Sequence, residues 1–283
     1  MGYHPTVGRW IERDPGPDSA PAPTREYADG MNLYQYVGSN PVLYVDPSGM
    51  WRIERKKEAT AIATTTDDND TVESLAAQIN LKASQWELWL QPANPDSQDS
   101  YSIRTVGSQH KACGTFKIPN TILAACAGWE GFGQGFGKFW VMWGKDVDDL
   151  KAKGFAVDEK DNLTASSLLG EIRNLSSARA LHGFLFWGHG PGSLGILTKE
   201  NEGSNPDYST DYYSIGLAAI YKLGFAMIYA CYGCDGINPI VGGIVNDGAP
   251  AWGGPDRLVP LPFHLSAPTV NNLLPSGAQG TIP

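Results

Sequence analysis

The sequence has little of what several protein classes require. Its 283 residues include only four cysteines, too few for a disulfide-stabilised scaffold. Positive charge is also scarce, because 21 Lys and Arg against 30 Asp and Glu give a net charge of −9, which argues against a nucleic-acid partner. No apolar run is long enough to span a bilayer, and the first residues lack the basic and apolar regions of a signal peptide. We therefore expect no membrane span, and a chain that is either cytosolic when made or exported as part of a longer protein.

Predicted strands and helices alternate in residues 126–283. Apolar runs predict strands at 139–143, 155–157, 184–187 and 225–230, separated by predicted helices near 146–153, 165–175 and 212–223. Buried parallel strands typically have such continuous apolar runs, and alternation with helices favours a parallel sheet covered on both faces. The glycine-rich residues 131–137 precede an apolar run instead of following a strand, so we predict a linker there and not a phosphate-binding loop.

A histidine and a cysteine each follow one of these predicted strands. His189 follows the strand at 184–187, and Cys231, forty-two residues later, follows the strand at 225–230. Because sites in open parallel sheets form outside the carboxyl ends of the strands, the two side chains can meet there. A cysteine protease requires at least a thiol nucleophile with a base beside it. The backbone amides of Gly190 and Cys231 could then donate hydrogen bonds to a developing oxyanion.

The two motifs resemble those of the caspase-like (clan CD) cysteine peptidases. Tyr229-Ala230-Cys231-Tyr232-Gly233 shares the Ala, the Cys and the final Gly of the caspase signature, and Gly188-His189-Gly190 is similar to the family's histidine turn. The resemblance implies a caspase-like three-layer sandwich and an endopeptidase that needs no metal or cofactor. It also implies that Cys231 is the nucleophile, His189 the base and Gly190 an oxyanion donor, with proteins as substrates. Residues 236–283 depart from the family, so no residue preference before the cut is predicted.

Residues 1–50 read as short aromatic strands separated by Asp-Pro, Asn-Pro and Pro-Ser-Gly turns. Fifty such residues cannot bury a core alone. The segment, which ends Asp46-Pro47-Ser48-Gly49-Met50, resembles the conserved end of the Rhs/YD-repeat core, a β-rich cocoon followed by a variable toxin. The resemblance implies autoprocessing after Met50 with Arg13 and Asp14, an immunity protein as a further partner, and delivery as a secreted effector into a target cell's cytoplasm. The alternative is that these residues only form a plug strand, and without the cocoon we expect no self-cleavage.

Residues 51–125 predict a small α/β segment. Asp70 is a predicted N-cap with Glu73 completing a capping box, and the helix that follows has one apolar face. A second short helix is predicted at 84–90. The run from Asp70 to Ala76 resembles a LysM module, a family that binds glycan chains; the alternative is a spacer that packs on the toxin.

Together these patterns predict three domains, at 1–50, 51–125 and 126–283, in a polymorphic toxin whose effector is a cysteine endopeptidase. Two other hypotheses remain open. One is a non-catalytic, LysM-like glycan-binding module with a degenerate caspase-like fold. The other is a structural domain stabilised by zinc bound to His110, Cys113, Cys231 and Cys234.

Overall fold

The computed structural model describes residues 3–4, 9–10, 51–66, 70–96, 101–127, 137–161, 163–188, 195–197, 209–229, 243–246 and 248–253. The chain divides into two compact units, residues 1–50 and 51–283. In the first unit, β1 (Tyr3–His4) and β2 (Arg9–Trp10) pair in antiparallel orientation. The residues expected to carry out autoprocessing, Arg13, Asp14 and Met50, lie outside the described residues.

The second unit begins with an antiparallel sheet. Its strands are β3 (Arg52–Glu54), β4 (Thr60–Thr64), β5 (Gln91–Pro92), β6 (Tyr101–Val106) and β7 (Gln109–Pro119). The order is β3-β4-β7-β5, and β6 pairs with the first half of β7. Two helices, α1 (Val72–Gln78) and α2 (Trp86–Trp89), follow β4, and a 3-10 turn at Ala83–Gln85 precedes α2. In β4, Ala61 and Ala63 are buried on one face and alternate with the half-buried Thr60, Ile62 and Thr64, as expected for a strand with one buried face.

The first helix is capped one residue later than the sequence predicts. Thr71, not Asp70, is the N-cap: its side chain accepts from the Ser74 N–H at 3.1 Å, and Ser74 Oγ accepts from the Thr71 N–H at 3.2 Å. Asp70 instead accepts a hydrogen bond from the Thr66 N–H at 2.5 Å. Threonine and aspartate both cap helices well, so the sequence alone does not choose between neighbours of these two types.

The described part of the second unit also contains a five-stranded parallel sheet. It contains β8 (Thr121–Ala127), β9 (Ala156–Asp161), β10 (Leu181–Gly188), β13 (Phe225–Tyr229) and β14 (Ala251–Gly253). The spatial order is β14-β13-β10-β8-β9, and every neighbouring pair is parallel. A short antiparallel hairpin, β11 (Gly195–Leu197) with β12 (Ser209–Asp211), follows β10 in the chain. The prediction of a mixed α/β fold with a parallel sheet is therefore confirmed.

Three helices connect the parallel strands: α3 (Gly137–Ala152), α4 (Ala165–Ser177) and α5 (Tyr212–Ala218). Helix α4 is capped by Thr164, whose Oγ1 accepts from the Ser167 N–H at 3.1 Å. Helix α5 ends at Ala218, earlier than predicted, and is capped by Asp211. No helix in the described ranges is long and apolar enough to cross a membrane.

The strand predicted at 139–143 is wrong, because these residues belong to α3. A short apolar run fits a buried helix as well as a buried strand, and here it continues without a break into the helical residues 146–152. The first strand of the sheet is instead β8, at the end of the segment assigned to the spacer. The domain boundary expected after residue 125 consequently falls inside this strand.

The two faces of the parallel sheet bury separate apolar clusters. On one face, residues of α4 and α5 such as Leu168 and Ile215 pack on the sheet, and this cluster continues into Trp51 and Phe116 of the antiparallel region. The antiparallel and parallel regions therefore share one core. The other face packs against α3 and contains Ile122, Ala124, Cys126, Val147, Leu150, Phe155, Leu185, Trp187, Phe225, Met227 and Tyr229.

Candidate active site

The strands that precede His189 and Cys231 are neighbours in the parallel sheet. β10 and β13 pair in register over five residues, from Gly183 opposite Phe225 to Trp187 opposite Tyr229. His189 and Cys231 each come two residues after this last pair in the sequence. Because the strands are parallel, both of them end on the same side of the sheet, here called the carboxyl edge. The two strands are therefore adjacent, as a meeting of His189 and Cys231 requires.

The side chains of the expected site itself, His189, Gly190 and Cys231, lie outside the described residues. The structure describes the last residues of the strands that precede them in the sequence, which we call the floor of the carboxyl edge. This floor lies beside the point where the strand order reverses, between β8 and β10. In open parallel sheets, ligands bind outside the carboxyl ends of the strands at such a reversal.

Three aromatic rings form the floor of the carboxyl edge. Trp187 and Tyr229 stack with ring centroids 3.8 Å apart and an angle of 24° between the planes. Trp252 on β14 packs against Tyr229 at 4.8 Å. Trp187 and Tyr229 are each only 3% exposed, whereas Trp252 is half-buried. Packed rings of this size bury a large apolar area, and these three connect β10, β13 and β14.

A buried hydrogen bond ties this floor to α3. The Tyr229 hydroxyl donates to Asp146 Oδ2 at 2.9 Å, and Asp146 is 3% exposed. Burial raises the pKa of Tyr229, and the negative charge of Asp146 raises it further, so the phenol stays protonated. The sequence pattern did not reveal Asp146 as part of this region, because the residue is eighty-three positions away from its partner.

A second thiol lies close to the carboxyl edge. Cys126 on β8 is 8% exposed and lies opposite Trp187 in the register of β8 and β10. It belongs to the same apolar cluster as Trp187 and Tyr229. A buried cysteine of this kind behaves as a small hydrophobic residue.

Two of the four residues in the zinc hypothesis, His110 and Cys113, lie on β7, and their arrangement there does not favour binding one metal ion. His110 and Cys113 are three residues apart in a regular ladder with β6, so their side chains point to opposite faces of the hairpin. His110 Nδ1 instead lies 2.6 Å from Glu73 Oε1. Burial by itself raises the pKa of Glu73, but the hydrogen bonds from His110 outweigh it and lower that pKa overall. In the described ranges no three His, Cys, Asp or Glu side chains form a group that could hold a metal, while Cys231 and Cys234 lie outside those ranges.

A polar cluster that no sequence pattern indicates lies at the opposite end of the sheet. His182 and Arg55 are 2% and 8% exposed and contact the same phenyl ring, that of Phe155. Buried Arg and His residues are uncommon, but nothing in the sequence marks these two as buried.

Comparison with known proteins does not extend the assignment: neither the family models nor the curated proteins compared with this sequence match it.

Proposed function

We propose that this chain is a cysteine endopeptidase in which Cys231 and His189 form the catalytic dyad. The observation that carries the proposal is the parallel pairing of β10 and β13, the two strands that immediately precede His189 and Cys231. The caspase-like character of the fold is part of the proposal and rests on the resemblance of the two motifs.

In the proposed reaction, His189 takes the proton of the Cys231 thiol, and the thiolate attacks the carbonyl carbon of the scissile peptide bond. The backbone amides of Gly190 and Cys231 donate to the oxyanion that develops. When the intermediate collapses, the C–N bond breaks and His189 protonates the leaving amine. Water then hydrolyses the thioester, which releases the new carboxyl terminus and regenerates the thiol.

We further propose that the peptidase is carried as the C-terminal effector of an Rhs-type protein and is released after Met50. The division of the chain between residues 50 and 51 supports this point of separation. The test is expression of the chain behind its Rhs repeats, where we expect a fragment that begins at Trp51 and is lost with Asp14→Asn. The 283-residue chain alone should stay intact. Release at another bond, or release that persists in Asp14→Asn, would contradict the assignment.

Peptidase activity is tested by mapping new N-termini in a cell lysate incubated with the purified protein. The comparison uses the wild type, Cys231→Ser and His189→Gln, with Cys113→Ser and Cys234→Ser as matched thiol controls. We expect new N-termini with the wild type and both controls, none with Cys231→Ser, and a rate reduced by about a hundredfold or more with His189→Gln. If Cys231→Ser produces the same N-termini as the wild type, or if the wild type produces none, the proposal fails.

A further inference from the structure

The polar cluster at the amino end of the parallel sheet contains two buried basic side chains. His182, the second residue of β10, packs on Phe155 with ring centroids 5.1 Å apart. The guanidinium carbon of Arg55 lies 4.2 Å from the centre of the same ring. His182 Nδ1 and Arg55 Nε are both buried, and neither has a hydrogen-bond partner in the described structure. Desolvation, together with the positive charge of Arg55, lowers the pKa of His182 well below its ordinary value.

This cluster joins the antiparallel sheet to the parallel one. Arg55 directly follows β3, and its Nη1 donates to Asn120 Oδ1 at 2.5 Å, one residue before β8 begins. The Asn120 amide in turn donates to the carbonyls of Glu58 and Gly154, at 2.9 and 3.0 Å. The Asn120 backbone N–H is shared between the carbonyls of Ala59 and Ala180. These bonds hold both sheets at one point, which we call the sheet junction (Arg55, Asn120, Phe155 and His182).

The sheet junction leaves little space for either basic side chain to move. A Cβ atom on Gly154 would lie 2.7 Å from Arg55 Cβ, and one on Gly224 would lie 3.0 Å from His182 Cε1. Glycine is therefore required on both sides by close packing. Interiors packed this closely do not readily admit water or a counter-ion.

The other titratable groups near His182 do not compensate for a second positive charge. Tyr221, whose hydroxyl donates to the Leu181 carbonyl at 2.9 Å, stays neutral because burial raises its pKa. The side chains of Lys57 and Glu58 are exposed, although their backbones approach the junction. Among the described carboxylates, none forms an ion pair with Arg55 or His182.

We propose that His182 is an acid-sensitive latch: the neutral imidazole keeps the two sheets joined, and its protonation against Arg55 opens the sheet junction. The inference rests on described residues alone and is independent of the proposed catalysis. The sign follows from proton linkage. The unfolded state binds a proton at His182 below about pH 6.5, whereas the folded state, in which burial and Arg55 lower the pKa, binds it only at a lower pH, so stability is full above pH 6.5 and falls as the pH is lowered.

The expected size is about a tenfold increase in the unfolding equilibrium constant between pH 7.5 and pH 5.5, if His182 takes up its proton only on unfolding. Urea unfolding at these pH values measures it in the wild type, in His182→Phe, which keeps an aromatic ring, and in the control His110→Gln, whose half-buried histidine lies outside the sheet junction. In His182→Phe this tenfold change in the unfolding equilibrium constant should be absent, whereas His110→Gln should retain it. Equal pH sensitivity of His182→Phe and the wild type would overturn the proposal.

A second measurement does not depend on the folding of a variant. The imidazole C–H resonance of His182 in the folded wild type should stay constant from pH 7.5 to 5.5. At lower pH, hydrogen exchange should accelerate first at the amides of Asn120 and Thr121, which donate to Ala180 across the sheet junction. Titration of His182 near pH 6.5 in the folded protein would show that the junction tolerates the charge, and the latch would be refuted.

Discussion

Replacing Tyr229 by phenylalanine removes a single hydroxyl from beneath the carboxyl edge of the parallel sheet. That hydroxyl donates to the buried Asp146 carboxylate at 2.9 Å and so links β13 to α3. The ring itself, which stacks on Trp187 at 3.8 Å, is retained. The substitution therefore changes one hydrogen bond while the aromatic floor stays packed.

The cost follows from the type of bond that is lost. Hydrogen bonds to charged groups contribute about 1.5–3 kcal/mol to stability, because the charged partner is left less well solvated when the donor is removed. For a domain of about 150–250 residues, each kcal/mol corresponds to roughly 2–4 °C in Tm. Tyr229→Phe should therefore lower the Tm by roughly 3–12 °C.

Tyr212→Phe is a closely matched control. Tyr212 is fully buried, and Tyr229 is nearly so. The Tyr212 hydroxyl, however, has no hydrogen-bond partner in the described structure. Burial of this hydroxyl raises the pKa of Tyr212 to about 12. Removing a buried hydroxyl that makes no bond relieves a desolvation penalty, so Tyr212→Phe should be neutral or stabilising.

Both variants are measured by differential scanning calorimetry and by urea unfolding at pH 7.5, under identical buffer conditions. If Tyr229→Phe unfolds at the wild-type temperature, the buried bond to Asp146 makes no net contribution. If Tyr212→Phe is destabilised as much as Tyr229→Phe, the two hydroxyls are energetically alike and the reasoning from hydrogen-bond partners is refuted.

Two further predictions concern the backbone. Gly154→Ala should destabilise the protein by more than about 1 kcal/mol, because Gly154 has φ of +83° and a Cβ there would lie 2.7 Å from Arg55 Cβ. The control Gly170→Ala should be neutral or stabilising, because Gly170 lies in α4 with open space around its Cβ position. Thr71→Ala should cost about 1 kcal/mol through loss of the α1 capping box, and Thr71→Ser should restore most of it. Urea unfolding checks both pairs; equal effects within either pair would contradict the corresponding prediction.

The strands of the parallel sheet were predictable where their sequence allows one interpretation. The apolar run 184–187 lies within β10, whose residues 181–187 are all buried, and β13 has five buried residues in succession. The hydroxyl of Thr164 marks the start of α4 because capping depends only on local hydrogen bonds. In contrast, the apolar residues 139–143 fit a strand and a helix equally well, so the sequence did not reveal the start of α3.

The candidate site was predictable only in part, for the same reason. The alternation of strands and helices indicates that the two strands end at the same edge of one sheet, which makes the observed pairing of β10 with β13 possible. It does not indicate which helix packs beneath that edge. Asp146 and His182 depend on contacts between distant segments, with Tyr229 and with Arg55, and a local pattern carries no information about such contacts.

The central claim, that Cys231 is a nucleophile activated by His189, is tested most directly by a peptidyl electrophile that alkylates catalytic thiols. The purified 283-residue protein is treated at pH 7.5, and intact mass and peptide mapping identify the modified cysteine. We expect one label per chain, at Cys231, with the rate reduced about a hundredfold or more in His189→Gln. Labelling of the exposed Cys113 instead, or equal rates with and without His189, would contradict it.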